Sequence, residues 1–209
     1  MYATNNPAAV VDAHRRRLRR WLIAALVALA VTASSLVALS RTAAPACLAA
    51  GPGPVGNGKA IIAAGVALHM PQDGIVAGLT AAMQETGMRN LANPDVPESL
   101  TVAHDGLSTD HNTLGVLAQT PSWGSVEELM SPPAAAAKFF TTLRQDWHRG
   151  PYDASTTPDE LAAFVQRSAV PGAYTAQVPA AEQFYRDHID EVRAAPCLAG
   201  EIVGTEAIS

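Results

Sequence analysis

The stretch Gln72–Asn90, QDGIVAGLTAAMQETGMRN, decides how this chain is read. Ile75, Leu79 and Ala82 recur at helical spacing and form one apolar stripe. Asp73 stands where an N-cap belongs, and Gly87 is the residue type that turns left-handed after a last helical turn. The spacing therefore predicts a helix over 72–86. Its last turn carries Glu85, next to the small residues Ala81 and Ala82. A carboxylate in such a place faces the negative end of the helix dipole, which disfavours the charged form, and partial burial acts in the same direction. A carboxylic acid kept protonated near neutral pH is what glycosidic cleavage needs as its general acid. On these residues alone, a surface glutamate near a helix end is the plainer reading.

Working outward, Lys59–Met70 has helical spacing in Ile62, Val66 and Met70, with Pro71 as its stop. Met88–Asn112 is irregular, with one alternating piece, Leu100–Ala103, and room for a small hairpin or a long ordered loop. Ser125-Val126-Glu127-Glu128 is a capping box for a short helix. Pro132-Pro133 opens an amphipathic helix over Ala134–Trp147 that carries Phe139, Phe140 and Leu143. Thr157-Pro158-Asp159-Glu160 repeats the capping box with proline at the first helical position, and that helix is expected to reach about Val170. Val178–Arg193 is the last helix, with Phe184, Tyr185, Ile189 and Val192 on its apolar side. The expected fold is mainly α, with at most a small β hairpin.

The chain has 209 residues and a net charge of −5, which hides a split. Residues 1–41 carry six arginines and one acid, a net of +5, whereas residues 42–209 carry eight Lys+Arg and eighteen Asp+Glu, a net of −10. Such asymmetry suggests that the two parts face different surroundings. After the basic run ending at Arg20, Trp21–Ser40 reads WLIAALVALAVTASSLVALS, without a charge. At helical rise this run spans about 30 Å, the hydrocarbon thickness of a bilayer. The arginines are expected to stay in the cytoplasm, leaving the C-terminal part outside. The organisation that follows is a basic tail (1–20), a membrane anchor (21–40), a Pro/Gly-rich linker (41–58), an extracytoplasmic domain (59–197) and a tail (198–209). A signal peptide cleaved near Ala44-Pro45-Ala46 is the rival to the anchor. A lipid-modified Cys47 is the weaker alternative, since no large aliphatic residue stands three places before it. Cys47 and Cys197, the two cysteines, both fall in the exported part, where a disulfide is favoured over two free thiols.

Several chemistries leave no trace. There is no nucleotide loop, no zinc-ligand spacing and no nucleophile elbow. The bulk charge does not suit nucleic acid. His104, Asp105, Asp110 and His111 cluster in the irregular region, where turn formation explains them better than a metal. Neither a metal nor a cofactor is expected.

Gln84-Glu85-Thr86-Gly87-Met88-Arg89-Asn90 resembles the Glu-Ser-Gly, Arg-Asn motif at a helix end in lytic transglycosylases and goose-type lysozymes. More closely, residues 60–174 resemble a lysozyme-like domain of actinobacterial cell-envelope proteins that occurs beside wall peptidases and in conjugation-type secretion gene sets. The matching blocks are AIIAAG (60–65), LTAAMQE (79–85), DHNTLG (110–115), QTPSWG (119–124) and VQRSAVPGAY (165–174). They cover more than half of the exported part, and the Gln-Glu block and the last block are the more specific. The resemblance implies a lysozyme-like helical domain acting on peptidoglycan, with Glu85 as catalytic acid/base. It also implies Thr86, Gln119, Trp123 and Tyr174 as substrate-binding residues. Trp123 and Tyr174 would stack on sugar faces, or alternatively pack the core. Neither Asp105 nor Asp110 is compelling as a second carboxylate.

The chain departs from the family pattern at three places. Thr86 replaces the usual serine, Ala118 replaces a glutamine, and Pro121-Ser122-Trp123-Gly124 is shorter than the corresponding Pro-Ser-Gln-Gly-Trp-Gly. Loss of a cleft hydrogen bond can cost about tenfold or more in binding or rate. Three functions therefore stand side by side. The chain is a membrane-anchored wall-cleaving enzyme, an inactive wall-binding module, or a structural envelope protein accessory to a secretion or conjugation apparatus. The expected partners are peptidoglycan strands and the membrane, with protein partners open.

Overall fold

The computed structural model describes residues 53–147, 153 and 155–195. The basic tail, the apolar run 21–40, Cys47, Cys197 and the C-terminal tail lie outside the described residues. Among the described residues no helix is long and apolar enough to cross a membrane. In chain order the elements are helices α1 (Gly53–Ala67) and α2 (Gln72–Thr86), strands β1 (Leu91–Ala92) and β2 (Gly106–Leu107), and helices α3 (Val126–Leu129), α4 (Pro132–Trp147), α5 (Pro158–Val165) and α6 (Val178–Arg193). Among the described residues three short 3₁₀ turns, Pro97–Thr101, Pro121–Trp123 and Thr175–Gln177, fill connections. The protein is mainly α.

Helix α2 is the centre, touching α1, α4, α5 and α6. Ten of its fifteen residues are buried, so it is covered nearly all round rather than along the single stripe that Ile75, Leu79 and Ala82 suggested. Small residues permit this. A Cβ on Gly78 would lie 2.8 Å from the Phe140 ring, so its absence lets α4 close onto α2. Phe139 and Phe140 meet edge to face at 5.6 Å, and both are fully buried. The helix begins at Gln72 with Pro71 in the cap position, so Asp73 lies in the first turn and does not cap it. Gly87 turns left-handed (φ 63°), and its N–H bonds back to the last turn as expected of a C′ glycine.

Helix α1 starts six residues earlier than its apolar spacing predicted, inside the segment read as linker. Glycines disfavour a helix, but tertiary contacts outweigh that preference here. Gly56, Asn57 and Gly58 are buried, and a Cβ on Gly58 would collide with the Phe184 ring of α6 at 2.5 Å. The Asn57 amide donates to the Met88 carbonyl (2.8 Å) and to the Asp105 carboxylate (2.7 Å).

The irregular region corrects the expected hairpin. β1 and β2 pair parallel, with Leu91 opposite Gly106 and Ala92 opposite Leu107, and Leu100–Ala103 lies in and after a 3₁₀ turn. Asp105 explains the geometry. Its carboxylate accepts from the Asn90 and Asn57 amides, and its own N–H donates to the Asn90 carbonyl at 2.7 Å. A small core of Ala92, Val96, Leu114, Leu129 and Met130 lies under this region, beside the main helical core. Trp123 packs against both.

Both capping boxes form: Ser125 N–H donates to Glu128 at 2.9 Å, and Thr157 N–H donates to Glu160 at 2.9 Å. Helix α5 nevertheless ends at Val165 instead of near Val170, because Arg167 takes a left-handed backbone (φ 54°). On α6, Ala181, Tyr185, Ile189 and Val192 are buried, with Phe184 half-buried.

Candidate functional site

The end of α2 is held by a loop 30 residues further on. Thr86 is buried, and its hydroxyl donates to the Val116 carbonyl (2.7 Å), with the Ala82 carbonyl also within reach at 3.1 Å. That loop is a tight reversal in which Leu114 and Gln119 exchange backbone hydrogen bonds of 2.8 and 2.9 Å. Gly115 sits at φ 77°, and a Cβ there would lie 2.0 Å from the Leu129 carbonyl oxygen, so only glycine fits. The loop's other side is held by the Gln166 amide, which donates to the Leu117 carbonyl at 2.9 Å. One loop thus ties the end of α2 to the end of α5.

Glu85 precedes this anchor. Its side chain is exposed, not partly buried as its place beside Ala81 and Ala82 suggested, and the Tyr174 hydroxyl donates to its Oε1. The two residues lie 89 positions apart, and Tyr174 itself is 4% exposed, so the core holds the phenol in place. Burial pushes the Tyr174 hydroxyl well above the usual tyrosine range, and the hydrogen bond and charge of Glu85 push it further. The phenol therefore remains a donor throughout the neutral range. Oε2 of Glu85 has no hydrogen-bond partner among the described residues. The carboxyl group is thus fixed by one oxygen and open at the other.

The remaining predicted residues divide. Tyr174 is brought to Glu85, but its buried ring leaves the hydroxyl, rather than a stacking face, as the group it offers. Thr86 is used up in anchoring. Gln119 is 2% exposed, its amide nitrogen is 3.3 Å from the Ala135 carbonyl, and its oxygen has no partner. It sits in the interior, where no saccharide reaches it. Ala118 is left-handed (φ 48°) and half-buried.

Trp123 lines a cavity of about 730 Å³ between the 3₁₀ turn Pro121–Trp123, α4 and the end of α5. Glu85 lines neither this cavity nor a second one of about 540 Å³ beside Asp159 and Phe164. Lys138 and Arg167 line the first; sequence reasoning missed both, because Lys138 lies on an alanine-rich helix and Arg167 is one residue of the 165–174 block with nothing to mark it as a contact. The His104–His111 cluster does not converge. Asp105 is engaged by Asn57 and Asn90, Asp110 meets only His111 (2.7 Å) and its own turn, and among the described residues no three His, Cys, Asp or Glu side chains could share a metal. Compared with known proteins, the chain matches no family model and no curated relative.

Proposed function

We propose that this is a lysozyme-like envelope protein that acts on peptidoglycan, with Glu85 as its proton-transfer group. The observation that supports this reading best is the hydrogen bond from Tyr174 to Glu85. The two residues lie in separate sequence blocks, 89 positions apart, and the bond steadies Oε1 while leaving Oε2 open for proton transfer. In the first step Glu85, protonated on Oε2, gives its proton to the glycosidic oxygen. The bond from that oxygen to the anomeric carbon breaks, and an oxocarbenium-like centre develops. The carboxylate left behind keeps the Tyr174 hydrogen bond on Oε1, which stabilises the new negative charge. In the second step Oε2 takes a proton from water, or from the sugar's own 6-hydroxyl, as that oxygen attacks the anomeric carbon. The first nucleophile gives hydrolysis and the second an anhydro sugar.

A second reading is favoured by one observation: the larger cavity holds Trp123 and not Glu85. In that reading the domain binds wall glycan without cutting it. Electrophoresis of the full chain in a gel containing cell-wall material separates the two. Clearing by the parent and none by Glu85→Gln supports the enzyme. Equal clearing by both removes Glu85 from the mechanism. No clearing by either, with both still pelleting with purified wall, leaves the binding module.

A further inference from the structure

The cavity beside Trp123 has a charge that the rest of the domain does not prepare for. Residues 42–209 carry eighteen acids against eight bases, yet two bases, Lys138 and Arg167, line this one space, with Glu128 as its only acid. Glu128 does not depend on Lys138. Its carboxylate accepts from the Ser125 N–H (2.9 Å) and the Ser125 hydroxyl (3.1 Å) as part of the capping box. Those bonds, with Lys138 at 3.2 Å, hold it below the usual glutamate range. Losing the lysine to a ligand would leave Glu128 exposed and still hydrogen-bonded. Gly124 makes room for the arrangement, because a Cβ there would come within 2.7 Å of both the Lys138 ammonium and the Glu128 carboxylate.

Arg167 is the more telling residue. Its side chain is exposed and makes no ion pair or hydrogen bond among the described residues, and, unlike the equally unpaired Arg144 and Arg193, it lines this cavity. Its backbone is left-handed (φ 54°) just past the end of α5, a place where glycine would be unstrained. Trp123 adds an aromatic surface, and Ser122, Thr141 and Thr142 add hydroxyls. The volume lies within the range of small-ligand sites, about 300–1,000 Å³.

We infer that this cavity binds an oxyanion carried on a saccharide, with the anion between Lys138 and Arg167 and the sugar against Trp123. Arg167 supplies a planar pair of donors and Lys138 a point charge. The sugar half of the inference rests on the wall-directed reading; the anion half rests on the two cations. The oxyanion could be a carboxylate of the wall peptide or a phosphate of a wall polymer, and the probes distinguish these sources. The cavity is joined to Glu85 through the shared loop, since Thr86 holds Val116 and Gln166 holds Leu117. Anion binding here would seat a strand without taking part in the proton transfer.

The test is calorimetric titration of the full chain with N-acetylmuramyl-L-alanyl-D-glutamate, N-acetylglucosamine 1-phosphate and neutral chitotriose. One charged ligand is expected to bind at least tenfold more tightly than chitotriose, and which one it is assigns the source. Arg167→Gln and Lys138→Gln should each remove most of that advantage, and added salt should weaken it in the parent. Equal binding of charged and neutral ligands, or undiminished binding by both variants, overturns the inference. Retention of fold in each variant is read from its circular dichroism. Glu85→Gln should bind the charged ligand as the parent does. If it also clears wall material like the parent, the catalytic reading fails while the anion site stands.

Discussion

At the residue scale, one oxygen of Glu85 is held by Tyr174 while the other stays open. Removing the Tyr174 hydroxyl takes away a charge-assisted hydrogen bond, worth about 1.5–3 kcal/mol where it stabilises the carboxylate. Tyr174→Phe should therefore lower kcat by roughly 10- to 100-fold and leave KM nearly unchanged, as steady-state release of soluble wall fragments would show. The same substitution has a signature in stability. The phenol's folded-state pKa is raised above its ordinary value of 10.0. The stability linked to this proton is fully present below pH 10 and is lost as pH climbs through the alkaline range. Urea unfolding should show the parent weakening above pH 10 more steeply than Tyr174→Phe. The sequence alone made Glu85 and Tyr174 candidates, because both lie in specific blocks. It did not show that Thr86 and Gln119 face inward, because burial of a polar side chain depends on which carbonyls meet it. Thr86 found Val116 and Gln119 found Ala135, 30 and 16 residues away.

At the scale of the elements, α2 shows what local pattern carries and what it does not. Its limits, Gln72–Thr86, and its left-handed glycine follow from spacing and residue type. Its central position does not, since a helix rich in alanine and glycine reads as weakly amphipathic when it is really surrounded. The helical state of Gly53–Gly58 was illegible for a related reason: Gly58 makes room for Phe184 and Met88, which only the fold brings near. Two predictions belong here. Gly78→Ala places a methyl 2.8 Å from Phe140 and should cost about 1–3 kcal/mol in urea unfolding. Thr80 is fully buried on α2 with an unpartnered hydroxyl, so Thr80→Val should leave stability unchanged or raise it by up to about 1 kcal/mol in the same measurement. A substantial loss on Thr80→Val would mean that the hydroxyl has a partner.

At the scale of the whole molecule, the two proposed centres share one loop. Glu85 and Tyr174 lie at the end of α2, and Trp123, Lys138 and Arg167 lie across the end of α5. Between them the reversal at 114–119 is fixed by Thr86, Gln166 and Gly115. Gly115→Ala would drive a methyl into the Leu129 carbonyl and should disturb both centres together, a double loss in wall clearing and in charged-ligand binding. The proposed activity depends on proton transfer by Glu85. Purified sacculi incubated with the full chain in detergent, with soluble sugar fragments followed by mass spectrometry, put that step to the test. Fragments are expected with the parent, and a fall of about 100-fold or more with a folded Glu85→Gln. Equal release by the two proteins would contradict it.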